Sequence, residues 1–278
     1  IEDEEGNVVK YQVISTNKEN AQIIQNPNDT ANVLHTQQYY VAAEVKDIPA
    51  MGYKTFKVSP LYNVRATTPV TLVKTTNVME NEYLKVSINH NGTFTVLDKE
   101  TGKVFDNLGY FKDSGEIGNP WQHVSPEIDE TFTTLGEKAN VTLLVNGEFE
   151  TTYKITMRWE LPEKRAFDEK SRSEHKLPVD IESLVTLRKG AKFVEIETTI
   201  NNRCEDHYLQ VGFPTGIKAE YADAQGQFDV VKRPLAKPDY SLYDEPPMTE
   251  HPMNSFVSVS DGVNGAALLN TGLKAYEA

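Results

Sequence analysis

Strict alternation of apolar and polar side chains is the feature that most limits what this chain can become. Tyr83-Leu84-Lys85-Val86-Ser87-Ile88 and Thr93-Phe94-Thr95-Val96-Leu97 switch character at nearly every step, and Phe193-Val194-Glu195-Ile196-Glu197-Thr198-Thr199-Ile200 does so through Val194–Glu197. A period of two sends successive side chains to opposite faces of a pleated strand, whereas a helix would scatter them around its axis. The runs are rich in Val, Ile, Thr, Phe and Tyr, which pack well on a half-buried sheet. Turn signals punctuate them: Asn91-Gly92, Thr101-Gly102, Asn146-Gly147, Lys189-Gly190 and Asp261-Gly262. His90-Asn91-Gly92 between two runs predicts a hairpin, because Asn and Gly tolerate positive φ. No segment carries three turns of helical amphipathicity, so the chain is expected to be all-β.

The 278 residues divide at Ala66-Thr67-Thr68-Pro69. Residues 1–66 have a hairpin signal at Glu5-Gly6-Asn7 and strand-like runs at 39–45 and 55–58, joined through Ile48-Pro49-Ala50-Met51-Gly52-Tyr53. That length suits a small sandwich of the immunoglobulin kind. Residues 70–278 are expected to form a second, larger β-sandwich. The charged stretch 160–176 reads as a mobile surface loop. Residues 239–252, rich in Pro, Tyr and acids, read as a long ordered loop that includes His251. The chain opens directly into strand-like sequence and stops where a further strand is expected. Since a sheet edge needs closure or cover, it is expected to be a piece of a longer polypeptide.

Charge narrows the partners. With 28 basic and 41 acidic residues the net charge is −13 and the pI about 5.0. Such a surface repels a phosphate backbone and an anionic membrane, so neither nucleic acid nor membrane is an expected partner. No run of 18 apolar residues exists to span a bilayer. Neutral ligands such as sugars are indifferent to this field. The lone Cys204 permits no intrachain disulfide, which fits a reducing, cytoplasmic setting, and a passive role is expected for it. Asn28, Asn91 and Asn140 head Asn-x-Thr triplets, which matter only on a secretory route.

Few motifs carry chemistry. The six histidines, His35, His90, His123, His175, His207 and His251, show no metal-binding spacing. No phosphate loop, dinucleotide fingerprint or nucleophile elbow is present. The most unusual stretch is 113–126, Asp113-Ser114-Gly115-Glu116-Ile117-Gly118-Asn119-Pro120-Trp121-Gln122-His123-Val124-Ser125-Pro126. Trp121 could stack on the apolar face of a sugar ring while Asp113, Glu116, Asn119 and His123 take hydroxyls. The competing reading is a turn that buries Trp121 for stability. His207 reads first as a hydrogen-bonding residue within a sheet.

Several segments together resemble the C-terminal region of family 38 α-mannosidases: 79–88 followed by 91–102; the loop 113–126; Asn201-Asn202-Arg203, Asp206-His207-Tyr208-Leu209 and Phe213-Pro214-Thr215; 228–234; and 251–262 followed by 265–277. Their order and spacing carry the resemblance over about residues 75–277, and 48–55 resembles the small β domain that precedes this region in bacterial members. The resemblance implies a large galactose-mutarotase-like sandwich after a small immunoglobulin-like one. It implies a parent enzyme that is a zinc-dependent, retaining glycosidase acting on α-mannosides. Nucleophile and zinc ligands would lie in a catalytic barrel outside this chain, so no catalytic or metal-binding residue is expected here.

The expected partners are then an α-mannoside glycan and the barrel of the same polypeptide, and the resemblance also implies self-association into a homo-oligomer. The loop would reach the active site, with Trp121 at the position of a sugar-contacting aromatic and Asp113, Glu116 and His123 beside it. The loop departs from the family pattern, with Glu116-Ile117-Gly118-Asn119-Pro120 where acids and a Tyr are common. The leading expectation is a non-catalytic β half that braces the barrel and walls the glycan pocket. A free-standing carbohydrate-binding module and a mutarotase-like epimerase using His207 are the rivals.

Overall fold

The computed structural model describes all residues except Asn26, 60–69, 120–121, 237–238, 240 and 242–247. It is all-β: among the described residues the single helical turn is the 3-10 segment Thr134–Gly136. In chain order the strands are β1 (Tyr11–Ile24), β2 (Asn32–Ala43), β3 (Val73–Thr75), β4 (Val78–Glu80), β5 (Leu84–Ile88), β6 (Phe94–Asp98), β7 (Val104–Leu108), β8 (Tyr110–Gly115), β9 (Phe132–Thr133) and β10 (Asn140–Val145). Two long strands follow, β11 (Glu150–Pro162) and β12 (Lys176–Arg188), then β13 (Glu195–Asn201), β14 (His207–Gly212), β15 (Tyr221–Gln225) and β16 (Val230–Pro234). The chain closes with β17 (His251–Pro252), β18 (Phe256–Ser260), β19 (Gly265–Leu269) and β20 (Ala275–Tyr276).

Two compact units divide these strands. The first contains 1–88, 141–155 and 182–199, and the second 89–140, 156–181 and 200–278.

In the first unit β1 and β2 form an antiparallel ribbon from Tyr11↔Ala43 to Ile24↔Asn32, with register shifts after Val13 and Asn17. Gln12 ties its base to the start of β11: its amide nitrogen donates to the Glu150 carbonyl (2.8 Å), and its oxygen accepts from the amides of Phe149 and Glu150 (2.9 and 3.0 Å). β3, β4 and β5 lie in sequence order as an antiparallel meander. Met79, Leu84, Val86, Tyr153, Val185 and Leu187 are among the buried apolar side chains of this unit. The expected strand at 55–58 contributes only a single bridge, Glu2 with Lys57. The Glu5-Gly6-Asn7 turn forms, with Gly6 at φ +81°.

Asn81 is the polar keystone of this unit. Its amide nitrogen donates to the carbonyls of Arg188 (2.7 Å) and Ala191 (2.8 Å), and its oxygen accepts from the amides of Tyr83 (2.9 Å) and Leu84 (2.7 Å). Its side chain joins the turn before β5 to the turn after β12, segments that are over a hundred residues apart.

The second unit is built on alternation. Along β11, Met157, Trp159 and Leu161 are buried, and along β12 Val179 and Ile181 meet them with Phe111 and Cys204. A smaller core holds Ala222, Ala224, Met253 and Tyr276. β14-β8-β9 form one sheet and β16-β15-β18-β19 another, while β6 pairs β7 and β17 pairs β20. The Asn91-Gly92 turn forms as expected, with Gly92 at φ +85° and its amide on the Asn89 carbonyl (3.1 Å). Asn91 itself is buried, its amide nitrogen on the Leu135 carbonyl (3.0 Å).

Two loop expectations are corrected. The stretch 160–176 is not a plain surface loop: β11 runs to Pro162, Arg165 bridges Arg172, and Ile128 bridges Ser171. Its charge density hides one buried cation, Arg172, which is 8% exposed. His251 lies in a short strand against Tyr276 and not in a loop. No helix among the described residues is long and apolar enough to cross a membrane.

Replacing Asn81 by Ala would strip partners from partly buried backbone groups at both turns and from the buried Leu84 amide. An unsatisfied buried polar group costs about 1–3 kcal/mol, so Asn81→Ala is expected to destabilise by about 3 kcal/mol, read from the urea midpoint at unchanged slope.

Candidate functional site

The site grows from the register of β8 and β14. The two strands pair antiparallel, with His207 opposite Gly115, Tyr208 opposite Ser114 and Leu209 opposite Asp113. Alternation turns Asp113 inward, where its side chain is 0% exposed. Arg172 Nη2 donates to Asp113 Oδ1 (2.5 Å), and His207 Nδ1 bonds Oδ2. Arg172 also donates to the Glu130 carbonyl (3.2 Å) and lies over the Phe132 ring, 5.4 Å from its centre. A charge without solvent needs such partners, since an isolated buried carboxylate would be strongly unfavourable.

After Gly115 the chain leaves the sheet. Glu116 N donates to the Asp206 carbonyl (3.0 Å), and Asp206 itself sits at φ +48°, a region that non-glycine residues seldom occupy. Ile117 N bonds the Val124 carbonyl (2.8 Å), and Asn119 and Gln122 exchange backbone hydrogen bonds (3.1 and 3.2 Å), making a small β excursion. Glycine is required at 118 because a Cβ there would come 2.1 Å from the Gln122 carbonyl oxygen.

Inside the excursion Glu116 Oε1 accepts from the amides of Gly118 (2.5 Å) and Val124 (3.1 Å), while Oε2 faces His123 Nδ1 at 2.5 Å. Burial pushes the Glu116 carboxyl upward, but the His123 hydrogen bond and the two amides outweigh it and hold it below the usual glutamate range. The other face of the ring is fixed by Tyr208, stacked at 4.4 Å between centres and 30° between planes. The remaining nitrogen, Nε2, lies 3.3 Å from Ser125 Oγ.

Tyr208 opens onto a second polar group. Burial, then the charges of Glu277 and Glu250, push its phenol well above the ordinary tyrosine value. Glu277 accepts from Gln210 (2.8 Å) and from Thr249 (2.7 Å). These bonds keep its carboxyl low against the upward push of burial. Cys204 is a buried thiol raised first by burial and then by the Asp113 charge, which suits a packing role.

The structure therefore brings Glu116 and His123 into direct contact and links them through the β8–β14 register to Asp113. Asp113 has both carboxylate oxygens engaged within the protein, so it supports the loop from below. Trp121 lies outside the described residues. Arg172, Tyr208, Ser125, Gln210 and Glu277 escaped the reading of the sequence as site residues. Arg172 and His207 are 59 and 94 positions from Asp113, and no local sequence signal joins them. Among the described residues no three His, Cys, Asp or Glu side chains converge to hold a metal ion.

Comparison with known proteins places this architecture. The model of the glycosyl hydrolases family 38 C-terminal domain matches residues 79–276. An α-mannosidase structure from Enterococcus faecalis V583 superposes with a TM-score of 0.80 at 28% identity, over 99% of this chain and 32% of that one. A family 38 protein structure from Enterococcus faecalis gives 0.77 at 27% identity, over 99% and 33%. A Halalkalibacterium halodurans protein, provisionally named a mannosylglycerate hydrolase, is 28% identical over 215 residues, 72% of this chain and 24% of that protein. The chain thus spans between a quarter and a third of the length of these relatives.

Two outcomes test the site's construction. Arg172→Met would leave the Asp113 charge buried without its cation, a loss of about 3–5 kcal/mol; adding Asp113→Asn should recover part of it, both read by urea unfolding. Glu116 has a lowered folded-state value, so its contribution to stability is complete above the unfolded glutamate value of about 4.3 and is lost as pH falls through the lower folded value. The stability difference between wild type and Glu116→Gln should accordingly shrink between pH 5 and pH 3, both pH values being roughly set by that reference.

Proposed function

Because this chain belongs to glycosyl hydrolase family 38 through its C-terminal domain, we propose that it is the non-catalytic β portion of a retaining enzyme that hydrolyses terminal α-mannosides. The observation that carries this reading is the match of 99% of the chain to one third of an α-mannosidase. In this reading the remaining length of the polypeptide holds an α/β barrel with the nucleophile, the acid/base carboxylate and the zinc ion. Zinc, when bound there, would order the sugar hydroxyls. In the glycosidase reaction the part proposed for the side chains of this chain is to bind, orient and exclude water.

The excursion 116–125 is assigned to the glycan-facing wall. Glu116 and His123 are held rigidly by backbone amides and by Tyr208. A fixed imidazole edge can bond a sugar hydroxyl without the entropy cost of ordering a free side chain. Trp121 remains assigned as the stacking aromatic of the same loop. The finer fold assignment is an immunoglobulin-like unit over 1–66 followed by a galactose-mutarotase-like sandwich over 70–278. A cytoplasmic site of action and a homo-oligomer complete the proposal. The name of the Halalkalibacterium halodurans relative makes α-mannosides of small organic acids the first substrates to compare with glycans.

The test is hydrolysis of a chromogenic α-mannoside, with the product anomer followed by NMR. The full-length polypeptide is expected to hydrolyse it with retention, and residues 1–278 alone are expected to give no turnover. His123→Ala in the full-length protein should raise KM about tenfold with little change in kcat, the loss of one hydrogen bond of about 1.5 kcal/mol. Turnover by residues 1–278 alone would overturn the assignment. Sugar binding by that fragment with no α-mannoside hydrolysis by the full-length protein would point to a binding module.

A further inference from the structure

One exposed serine stands beside an imidazole that a carboxylate orients. Glu116, held low by its donors, is ionised and can only accept hydrogen bonds. His123 must then donate from Nδ1, so that Nε2 is the ring nitrogen left to face Ser125. Ser125 Oγ lies 3.3 Å from that nitrogen and is exposed to solvent. The ring cannot swing away, because Glu116 holds one edge and Tyr208 holds one face at 4.4 Å. Glu116 is fixed in turn by the amides of Gly118 and Val124. A nucleophile within reach of a base, with the base oriented by a carboxylate, is the geometric signature of acyl transfer, and it is recognised by roles and not by fold.

We propose that Ser125, His123 and Glu116 form a serine acyl-transfer site that hydrolyses small neutral acyl esters carried on sugar hydroxyls. The carbohydrate part of this assignment rests on the reading of the excursion as glycan-facing; the reactivity of Ser125 does not. Neutrality follows from the neighbourhood: Glu116 itself and Glu277 both act on His123, and Glu250 lies at Tyr208, so a carboxylated acyl group would meet negative charge. The reaction proceeds by attack of Ser125 Oγ on the ester carbonyl carbon, with its proton passing to His123 Nε2. The C–O bond to the sugar then breaks, and the sugar hydroxyl leaves with that proton. Water attacks the acyl-serine, giving one proton to His123 and then back to Ser125 Oγ as the carboxylic acid departs. Ester and water become acid and alcohol, with no oxidant or metal required.

The full-length polypeptide is treated with a fluorophosphonate reagent, and modification is located by peptide mass mapping. Turnover of p-nitrophenyl acetate is followed in the same preparation. The expected result is one adduct on Ser125, absent in Ser125→Ala, and slowed on the order of a hundredfold in His123→Gln. Circular dichroism melts establish that each variant is folded; Glu116→Gln, which keeps an acceptor for the two amides, serves if His123→Gln is not. A folded wild type left unmodified at Ser125 overturns the proposal. So does modification at an equal rate in a folded His123→Gln or Glu116→Gln variant. α-Mannoside hydrolysis without labelling would sink this inference and leave the glycosidase assignment standing, whereas labelling without α-mannoside hydrolysis would do the reverse.

Discussion

The buried carboxylate of Asp113 is the constraint on which the second unit is arranged. It is 0% exposed and takes Arg172 on one oxygen and His207 on the other. Each partner comes from a different part of the chain: Arg172 from the connection between β11 and β12, His207 from the first position of β14. Satisfying one charge therefore fixes three segments at once. A buried ion pair adds little net stability when compared with a well-packed apolar replacement, but breaking it by removing one partner is costly. Its value here is positional. It holds the end of β8 where the chain must leave the sheet, and the excursion that follows inherits that position.

Order is passed outward in steps. The β8–β14 register places Tyr208 next to His207 on the neighbouring strand position. Tyr208 supplies a flat, desolvated face for His123, and Glu116 supplies the charge at its edge. Rigid side chains standing on a loop are unusual, because loops lose more entropy when their groups are fixed. Here the backbone bonds between Ile117 and Val124 and between Asn119 and Gln122 convert the loop into a short β excursion. Gly118 makes that closure sterically feasible. The arrangement presents the polar groups of the excursion at fixed angles, which is what the proposed glycan-facing role requires.

Much of the fold was legible in the sequence because strands announce themselves locally. Alternation at 83–88, 93–97 and 193–200 marks β5, β6 and most of β13, and Asn91-Gly92 turns where expected. The tandem 113–126 was recognisable as a special stretch from its composition, and Glu116 and His123 do come together there. What the sequence could not reveal is long-range pairing. Arg172 sits in a run of charges typical of a solvated connection, and nothing near it signals a buried partner 59 residues away. Tyr208 looks like any strand aromatic until β14 is laid against β8. Ser125 acquires meaning only when His123 is oriented. The expected run at 39–45 covers only the end of β2, and β1 has no counterpart among the expectations, since polar residues on both faces of the ribbon mask the period of two.

The central claim is that the Glu116–His123 excursion faces the glycan of an α-mannoside-hydrolysing enzyme. A crystal structure of the full-length polypeptide with a mannose-configured transition-state analogue tests it most directly. The account predicts the analogue in the barrel with His123 Nε2, or a water it holds, within hydrogen-bond distance of a sugar hydroxyl. An analogue bound with the excursion turned away from it, in contact with bulk solvent only, would contradict the account.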